Sequence, residues 1–115
     1  MTPAVRDRLA FGLAVAVNLV VLLAPSPPAG LSLVPGADKA VHALVFAAVA
    51  WTGVRIGLRP RALLPVLLVW AVTSELVQHL VVADRAGDGW DVLADAVGTL
   101  LGIVAARCFF AVPSR

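Results

Sequence analysis

The sequence predicts an all-α fold, namely an integral membrane bundle of four transmembrane helices. The chain of 115 residues is 61% hydrophobic and 14% charged, whereas about 25% charged residues is usual in soluble domains. Its mean hydropathy is +0.97, so it carries more apolar surface than a core of this size can bury, and lipid must solvate part of it. Charges and prolines also divide the chain into four apolar stretches. We therefore expect a single transmembrane domain over residues 1–115, with the lipid bilayer as its main partner.

The first helix is predicted over residues 6–24. Arg6 and Arg8 precede an apolar run from Leu9 to Ala24, which stops at a proline-rich segment where a helix cannot continue, because proline lacks the N–H. A basic start before an apolar run is also typical of a secretory signal peptide. The run has 16 residues, longer than the about 7–15 residues of a signal-peptide core, so we favour a spanning helix.

The other three helices are predicted over residues 38–57, 62–83 and 89–110. Each apolar stretch reaches the about 20 residues that cross a bilayer only when its polar flanks are included. Pro65 is expected in the first turn of the third helix, where a missing N–H does least harm.

The distribution of basic residues predicts the orientation of the helices. With the N-terminus inside, the cytoplasmic segments contain seven of the nine Lys and Arg residues, as the positive-inside rule expects. The opposite side carries Lys39 and Arg85, together with six of the seven acids. Both termini of a multi-pass cell-membrane protein are therefore expected in the cytoplasm. The seven inner basic residues are Arg6, Arg8, Arg55, Arg59, Arg61, Arg107 and Arg115.

Polar residues inside the predicted helices gather near the extracytoplasmic end. In the second helix, His42 follows Asp38 by four residues and so lies one turn further along the same face. The polar residues of the third helix occupy its last two turns, and those of the fourth helix its first two. Because the helices alternate in direction, we expect the three sets at a similar depth. The sets are Asp38 and His42, then Glu75, Gln78 and His79, then Asp91 and Asp95.

The fourth helix combines carboxylates and glycines on one face. At 100° per residue, Asp91, Asp95, Gly98 and Gly102 fall within a stripe about 60° wide. Gly98 and Gly102 form a GxxxG segment, and small residues at this spacing let helix backbones approach closely in lipid. The face that packs into the bundle is therefore also the face that carries the acids, and we expect these carboxylates to point at the other helices.

The combined pattern resembles that of the VanZ-like family of small polytopic membrane proteins. The family pattern is D-K-x-x-H-x-x-x-F, then E-x-x-Q, then R-x5-D-x3-N-x2-G-x3-G, and residues 38–102 match it in order and spacing. Two departures are an aspartate at Asp95, where the family usually has asparagine, and Ala83-Asp84, where a proline commonly precedes the arginine. The matching residues are Asp38, Lys39, His42, Phe46, Glu75, Gln78, Arg85, Asp91, Gly98 and Gly102.

The resemblance implies four membrane helices and a connection with resistance to teicoplanin-type lipoglycopeptide antibiotics, without an established reaction. Ionisable groups cost about 2.5–3.5 kcal/mol each near the centre of a bilayer, so a buried acid in a membrane suggests a function. We expect a polar site in the outer leaflet that binds or modifies a lipid-linked, lipid-anchored or lipophilic molecule of the cell envelope. Its candidate catalytic residues are Glu75, His42 and Asp91, its candidate substrate-binding residues are Asp38, Lys39, Gln78, Arg85 and Asp95, and its helix-packing residues are Gly98 and Gly102.

Within this site, Glu75 or His42 would act as acid or base, and Arg85 and Lys39 would hold an anionic group such as phosphate. The carboxylates could instead bind a divalent cation through oxygen ligands. No other cofactor is predicted, and metal ligands are left unassigned.

Several of these residues also have simpler structural interpretations. Asp38 and Asp91 could cap their helices, and Lys39 could extend to lipid head groups. His42 could be an ordinary core histidine, and Gln78 could only join helices. The alternative function is accordingly a non-enzymatic helper, transporter or interaction subunit that uses the polar face for assembly.

Some functions are disfavoured by what the sequence lacks. The net charge is +2, but no basic cluster is interleaved with aromatic residues, so nucleic acid is not an expected partner. The chain has no H-E-x-x-H, phosphate-binding glycine loop or Ser-His-Asp pattern that would indicate a particular reaction. Its single cysteine, Cys108, excludes an intramolecular disulfide. The substrate, the existence of a reaction and the oligomeric state stay open.

Overall fold

The computed structural model describes residues 1–24, 34–81 and 89–109, and these ranges form four α-helices. The prediction of an all-α chain with four helices is confirmed. Three of the helices, α2 to α4, are long and apolar enough to cross a membrane. The remaining helix, α1, is as long as α3 but carries Arg6, Asp7 and Arg8 in its first two turns. The helices are α1 (Pro3–Leu23), α2 (Ala37–Arg55), α3 (Pro60–Leu80) and α4 (Gly89–Phe109).

The ends of α1 and α2 differ slightly from the predicted limits, and local chemistry explains why. The hydroxyl of Thr2 accepts a hydrogen bond of 3.3 Å from the N–H of Val5, and Pro3 occupies the first helical position, so α1 starts three residues early. Helix α2 ends at Arg55 because Gly57 adopts a φ of 95°, a left-handed conformation typical of helix C-termini.

The placement of Pro65 in the first turn of the third helix is wrong. Helix α3 begins at Pro60, preceded by an extended Arg59 with φ −74° and ψ 132°, which is the conformation that a residue before proline prefers. Pro65 therefore lies inside α3 and offers no N–H to the carbonyl of Arg61. The helix ends at Leu80, before the predicted limit of 83; residues 82 and 83 lie outside the described ranges.

The helices pack as a bundle in which α2 and α4 form the most extensive pair. Helix α1 lies against α2, and α3 lies against α4, with smaller contacts from α3 to α2 and α1. The core between them includes the fully buried side chains of Leu22, Phe46 and Ala71, together with Leu67 and Ile103.

The bundle has apolar side chains on its outside and polar side chains in its interior. Leu44, Val69 and Leu101 are 69%, 66% and 60% exposed, whereas the interior contains carboxyl, imidazole and amide groups. This distribution is the reverse of that in a soluble bundle. The buried polar side chains are Asn18, His42, Ser74, Glu75, Gln78, Asp91, Asp95 and Thr99.

Candidate functional site

Close packing of α4 on α2 brings the predicted site residues of these two helices together. A Cβ atom added at Gly98 would lie 2.6 Å from Cα of Ala43, and one at Gly102 would lie 2.9 Å from Cα of Ala47. No side chain fits at these distances, so the two glycines allow backbone contact between the helices. Helices α2 and α4 begin at the same end of the bundle. At that end, polar side chains of one helix can therefore hydrogen-bond directly to those of the other.

The centre of this contact is His42, whose imidazole lies between two carboxylates of α4. Nδ1 of His42 is 2.8 Å from Oδ1 of Asp95, and Nε2 is 3.6 Å from Oδ2 of Asp91. The first distance is a hydrogen bond, while the second is too long for one. His42 is 3% exposed and Asp95 is 0% exposed, so this pair lies in the bundle interior.

Lys39 connects the buried pair to the surface. Its Nζ atom is 2.7 Å from Oδ1 of Asp91 and 2.7 Å from Oδ2 of Asp38, and the side chains of Lys39 and Asp38 are 33% and 52% exposed. Charged groups thus run from the surface to the core along one side of the α2–α4 contact. We call the five residues Asp38, Lys39, His42, Asp91 and Asp95 the α2–α4 polar cluster.

The structure changes the interpretation of Asp38. Helix α2 begins at Ala37 after Gly36, which provides no side-chain cap. Asp38 is therefore not the N-cap residue, and its carboxylate pairs with Lys39 instead. It still lies in the first turn, where a negative charge interacts favourably with the helix dipole.

Helix α3 contributes two buried residues to the same end of the bundle. Glu75 is 7% exposed. Gln78 is 1% exposed, and its Nε2 atom donates a hydrogen bond of 2.7 Å to the backbone carbonyl of Leu22 in α1. In this arrangement the Gln78 amide joins α3 to α1. The neighbouring His79 is exposed on the bundle surface.

Sequence reasoning missed Asn18, which is the buried polar residue of α1. Asn18 is 3% exposed, and its Oδ1 atom accepts a hydrogen bond of 2.8 Å from Nε1 of Trp70 in α3. An indole N–H can only donate, so the amide orientation of Asn18 is fixed by its partner. The signal in the sequence was a lone asparagine within an apolar run, a residue that in membrane helices usually forms interhelical hydrogen bonds.

All four helices place a polar side chain at one level of the bundle. Asn18 and Glu75 lie five residues before the ends of α1 and α3, and His42 and Asp95 lie five and six residues after the starts of α2 and α4. At a rise of 1.5 Å per residue, each of these positions is about 8–9 Å from the end of its helix at this side of the bundle. We call this end of the bundle, where α1 and α3 end and α2 and α4 begin, the polar end.

The buried polar atoms without a hydrogen-bond partner within the described ranges include the donor Nδ2 of Asn18 and the acceptor Oδ2 of Asp95. The hydroxyl of Thr99 donates to the backbone carbonyl of Asp95 at 2.8 Å, so it does not satisfy the carboxylate. A buried group without a partner costs about 1–3 kcal/mol, and both atoms could hydrogen-bond a polar molecule that enters the bundle.

The cluster has the groups required for proton transfer. When Asp95 is ionised it can only accept, which puts the proton of this hydrogen bond on Nδ1 of His42 and leaves Nε2 of a neutral ring as the base. A base oriented by a carboxylate is a common catalytic arrangement. The ammonium of Lys39 lies beside it at the surface, where it pairs with the carboxylates of Asp38 and Asp91.

Two expected features are not placed by the structure. Arg85, a predicted substrate-binding residue, lies outside the described residues, as do Asp84 and Asp88. Among residues 1–24, 34–81 and 89–109, no group of three His, Cys, Asp or Glu side chains is positioned to hold a metal ion. The divalent cation stays a prediction.

Compared with protein-family models, with curated proteins and with solved structures, the chain matches none. The resemblance to the VanZ-like family therefore depends on motif order and spacing alone.

Proposed function

We propose that the chain is an integral membrane protein of four spanning helices, whose polar end faces the outside of the cell and binds a lipid-linked or lipid-anchored molecule of the envelope. The observation that carries the proposal is a buried His42 held between Asp91 and Asp95 inside a bundle with an apolar outer surface. Ionisable side chains inside membrane helices are rare and usually functional.

The exposed surface supports the membrane placement of all four helices. Besides the three helices that are apolar enough to span, α1 directs Leu13 and Val20 outward at 66% and 68% exposure while burying Asn18. Its charged residues are confined to its N-terminal end. Together with the basic residues that follow α2, this supports an inner side of the membrane at the end opposite to the polar end, with both termini in the cytoplasm.

The polar cluster supports recognition of an amphipathic ligand with an anionic head group. The ligand would approach from the outer leaflet, with its apolar part in lipid and its head group at the polar end. Lys39, which is half-buried and paired with Asp38 and Asp91, would exchange one of these carboxylates for the anionic group. Nε2 of His42 would bind that group or exchange a proton with it. Glu75, buried in α3 at the same end of the bundle, would be the second acid or base.

Membership of the VanZ-like family is part of this proposal, on the strength of the motif spacing described above. Under that interpretation, susceptibility to teicoplanin-type lipoglycopeptides is the phenotype to examine first. Asp95 makes the site more acidic than an asparagine would, which favours a ligand that also carries a hydrogen-bond donor or a positive charge.

A second candidate function is assembly, and one observation favours it. The His42–Asp95 hydrogen bond and the Lys39–Asp91 ion pair both join α2 to α4, so the cluster stabilises the bundle itself. In that case the polar face would serve helix association, including association with a partner subunit.

The two candidates are separated by comparing function with folding in the same variants. Glu75→Gln and Asp91→Asn would be expressed in a strain that lacks the gene, with His79→Gln as the control, because His79 is exposed on the same turns of α3. Lipid and peptidoglycan-precursor profiles and lipoglycopeptide susceptibility would be measured, together with the unfolding temperature in detergent.

We expect both site variants to lose the wild-type profile while inserting normally and keeping an unfolding temperature close to that of the control. Loss of function that always accompanies a large fall in unfolding temperature would favour the assembly role. Full activity of both variants would show that the polar end is not the functional site.

A further inference from the structure

The bundle contains a second polar feature, at the end opposite to the polar end. A cleft of about 310 Å³ lies between the start of α1 and the end of α2. It combines apolar walls with three charged side chains. The residues that line it are Ala4, Asp7, Arg8, Arg55 and Ile56. We call it the basic cleft.

An ion pair between α1 and α2 forms one side of the cleft. Nη2 of Arg55 lies 3.2 Å from Oδ1 and 3.5 Å from Oδ2 of Asp7, and Nε of Arg6 lies 4.0 Å from Oδ1 of the same carboxylate. The side chains of Asp7 and Arg55 are 20% and 28% exposed. Asp7 therefore holds the guanidinium of Arg55 at the cleft in a defined orientation.

The charge of this region exceeds what Asp7 can neutralise. The guanidinium groups of Arg6 and Arg55 lie within 4.0 Å of the Asp7 carboxylate, and Arg8 lines the cleft as well. These four side chains together have a formal charge of +2. Arg8 lines the cleft and has no ion-pair partner in the part of the chain that the structure describes. Guanidinium groups bind phosphate through paired hydrogen bonds, so the cleft offers a phosphate group a cationic side next to apolar walls.

We propose that the basic cleft binds the phosphate group of an anionic phospholipid from the cytoplasmic leaflet. Basic pockets between membrane helices on the cytoplasmic side commonly bind such head groups. With the membrane placement proposed above, the cleft lies at the level where lipid phosphates surround the ends of spanning helices. The apolar side chains of Ala4 and Ile56 suit a ligand that continues into acyl chains. A topology signal requires only positive charge, whereas here arginines from two helices share one cavity.

This inference uses the membrane placement in the proposed function but not the chemistry of the polar end. A protein that does not enter the membrane fraction would contradict the proposed function. A membrane-inserted protein without a preference among lipids would contradict only the lipid site.

The test is lipid binding by the purified full chain in detergent micelles, followed by native mass spectrometry. The probes are phosphatidylglycerol, phosphatidylcholine and inorganic phosphate. The variants are Arg8→Gln, which breaks no ion pair within the described residues, and Asp7→Asn, which removes the negative charge of the cleft. The matched control is Arg61→Gln, an exposed arginine at the same end of the bundle that does not line the cleft.

We expect phosphatidylglycerol to remain bound in preference to phosphatidylcholine, and Arg8→Gln to weaken its binding about fivefold. Asp7→Asn should keep or strengthen binding, because the asparagine oxygen can still accept from Arg55 while the negative charge is removed. Arg61→Gln should leave binding close to wild type. Equal binding of the two lipids, or equal losses in Arg8→Gln and Arg61→Gln, would overturn the site. Displacement of the lipid by millimolar inorganic phosphate would show a free-phosphate site instead and would overturn the lipid assignment.

Discussion

His42 and Asp95 form a buried hydrogen bond of 2.8 Å between Nδ1 and Oδ1 that joins α2 to α4. Both helices approach closely enough for this bond because Gly98 lies one turn below Asp95 and faces the backbone of Ala43. Gly98 thus sets the separation of the two helices, and this separation lets Asp95 reach His42. The same separation places Lys39 beside Asp91.

The first prediction concerns the chemical form of residue 95. Asp95→Asn should keep the bond to His42, because its side-chain oxygen still accepts, and should change the free energy of unfolding by less than about 1 kcal/mol. Asp95→Leu leaves the imidazole without its partner and should cost roughly 1–3 kcal/mol. The measurement is unfolding of the purified protein in micelles by denaturing detergent.

A result in which Asp95→Asn is as damaging as Asp95→Leu would show that the negative charge, rather than the hydrogen bond, stabilises this position. The envelope phenotype of the same two variants gives a second comparison. If the proposed membership of the VanZ-like family is right, Asp95→Asn should retain the wild-type phenotype.

The second prediction tests the close approach of α2 and α4. A methyl group at position 98 would collide with the backbone of Ala43, so Gly98→Ala should separate the helices and destabilise the bundle by roughly 1–3 kcal/mol. Gly12→Ala is the matched control, because the added methyl at Gly12 meets nothing within 4 Å. Its higher helix propensity should leave stability unchanged or raise it by up to about 1 kcal/mol. Equal unfolding energies for the two variants would contradict the contact.

The third prediction concerns the hydrogen bond between Asn18 and Trp70. A double-mutant cycle with Asn18→Leu and Trp70→Phe should give a coupling energy of about 0.6 kcal/mol, the average for interhelical hydrogen bonds in membrane proteins. Each single variant leaves one buried polar group without its partner, so the double variant should be less damaging than the sum of the two. Strictly additive losses would show that the two side chains do not interact. Denaturation in micelles provides the four free energies.

Much of the arrangement could be predicted from spacing along single helices. The positions of Asp91, Asp95, Gly98 and Gly102 on one face follow from the helical repeat, and the alternating direction of the helices puts His42 and Glu75 at a similar depth. The shared face and the similar depth depend only on the geometry of each helix and the order of the helices, which the sequence specifies directly.

The partners across helices could not be predicted in the same way. Spacing made Asp38 the natural neighbour of His42, yet the imidazole bonds to Asp95, because the rotation of α2 against α4 is set by packing of residues far apart in the chain. Asn18 was not predicted as a site residue for a related reason. Its importance depends on Trp70, more than fifty positions away, and neither residue belongs to a recognisable pattern.

The fourth prediction tests the orientation of the bundle in the membrane. Single cysteines would be introduced at Pro35, in the turn before α2, and at Leu58, in the turn between α2 and α3, after replacing the exposed Cys108 by serine. Both positions are exposed, so a difference in labelling reports the side of the membrane rather than burial. With the polar end outside, a membrane-impermeant maleimide should label Pro35→Cys in intact cells, whereas Leu58→Cys should react only after permeabilisation. The reverse pattern would invert the bundle and place the basic cleft outside, and labelling of both positions in intact cells would exclude a spanning α2.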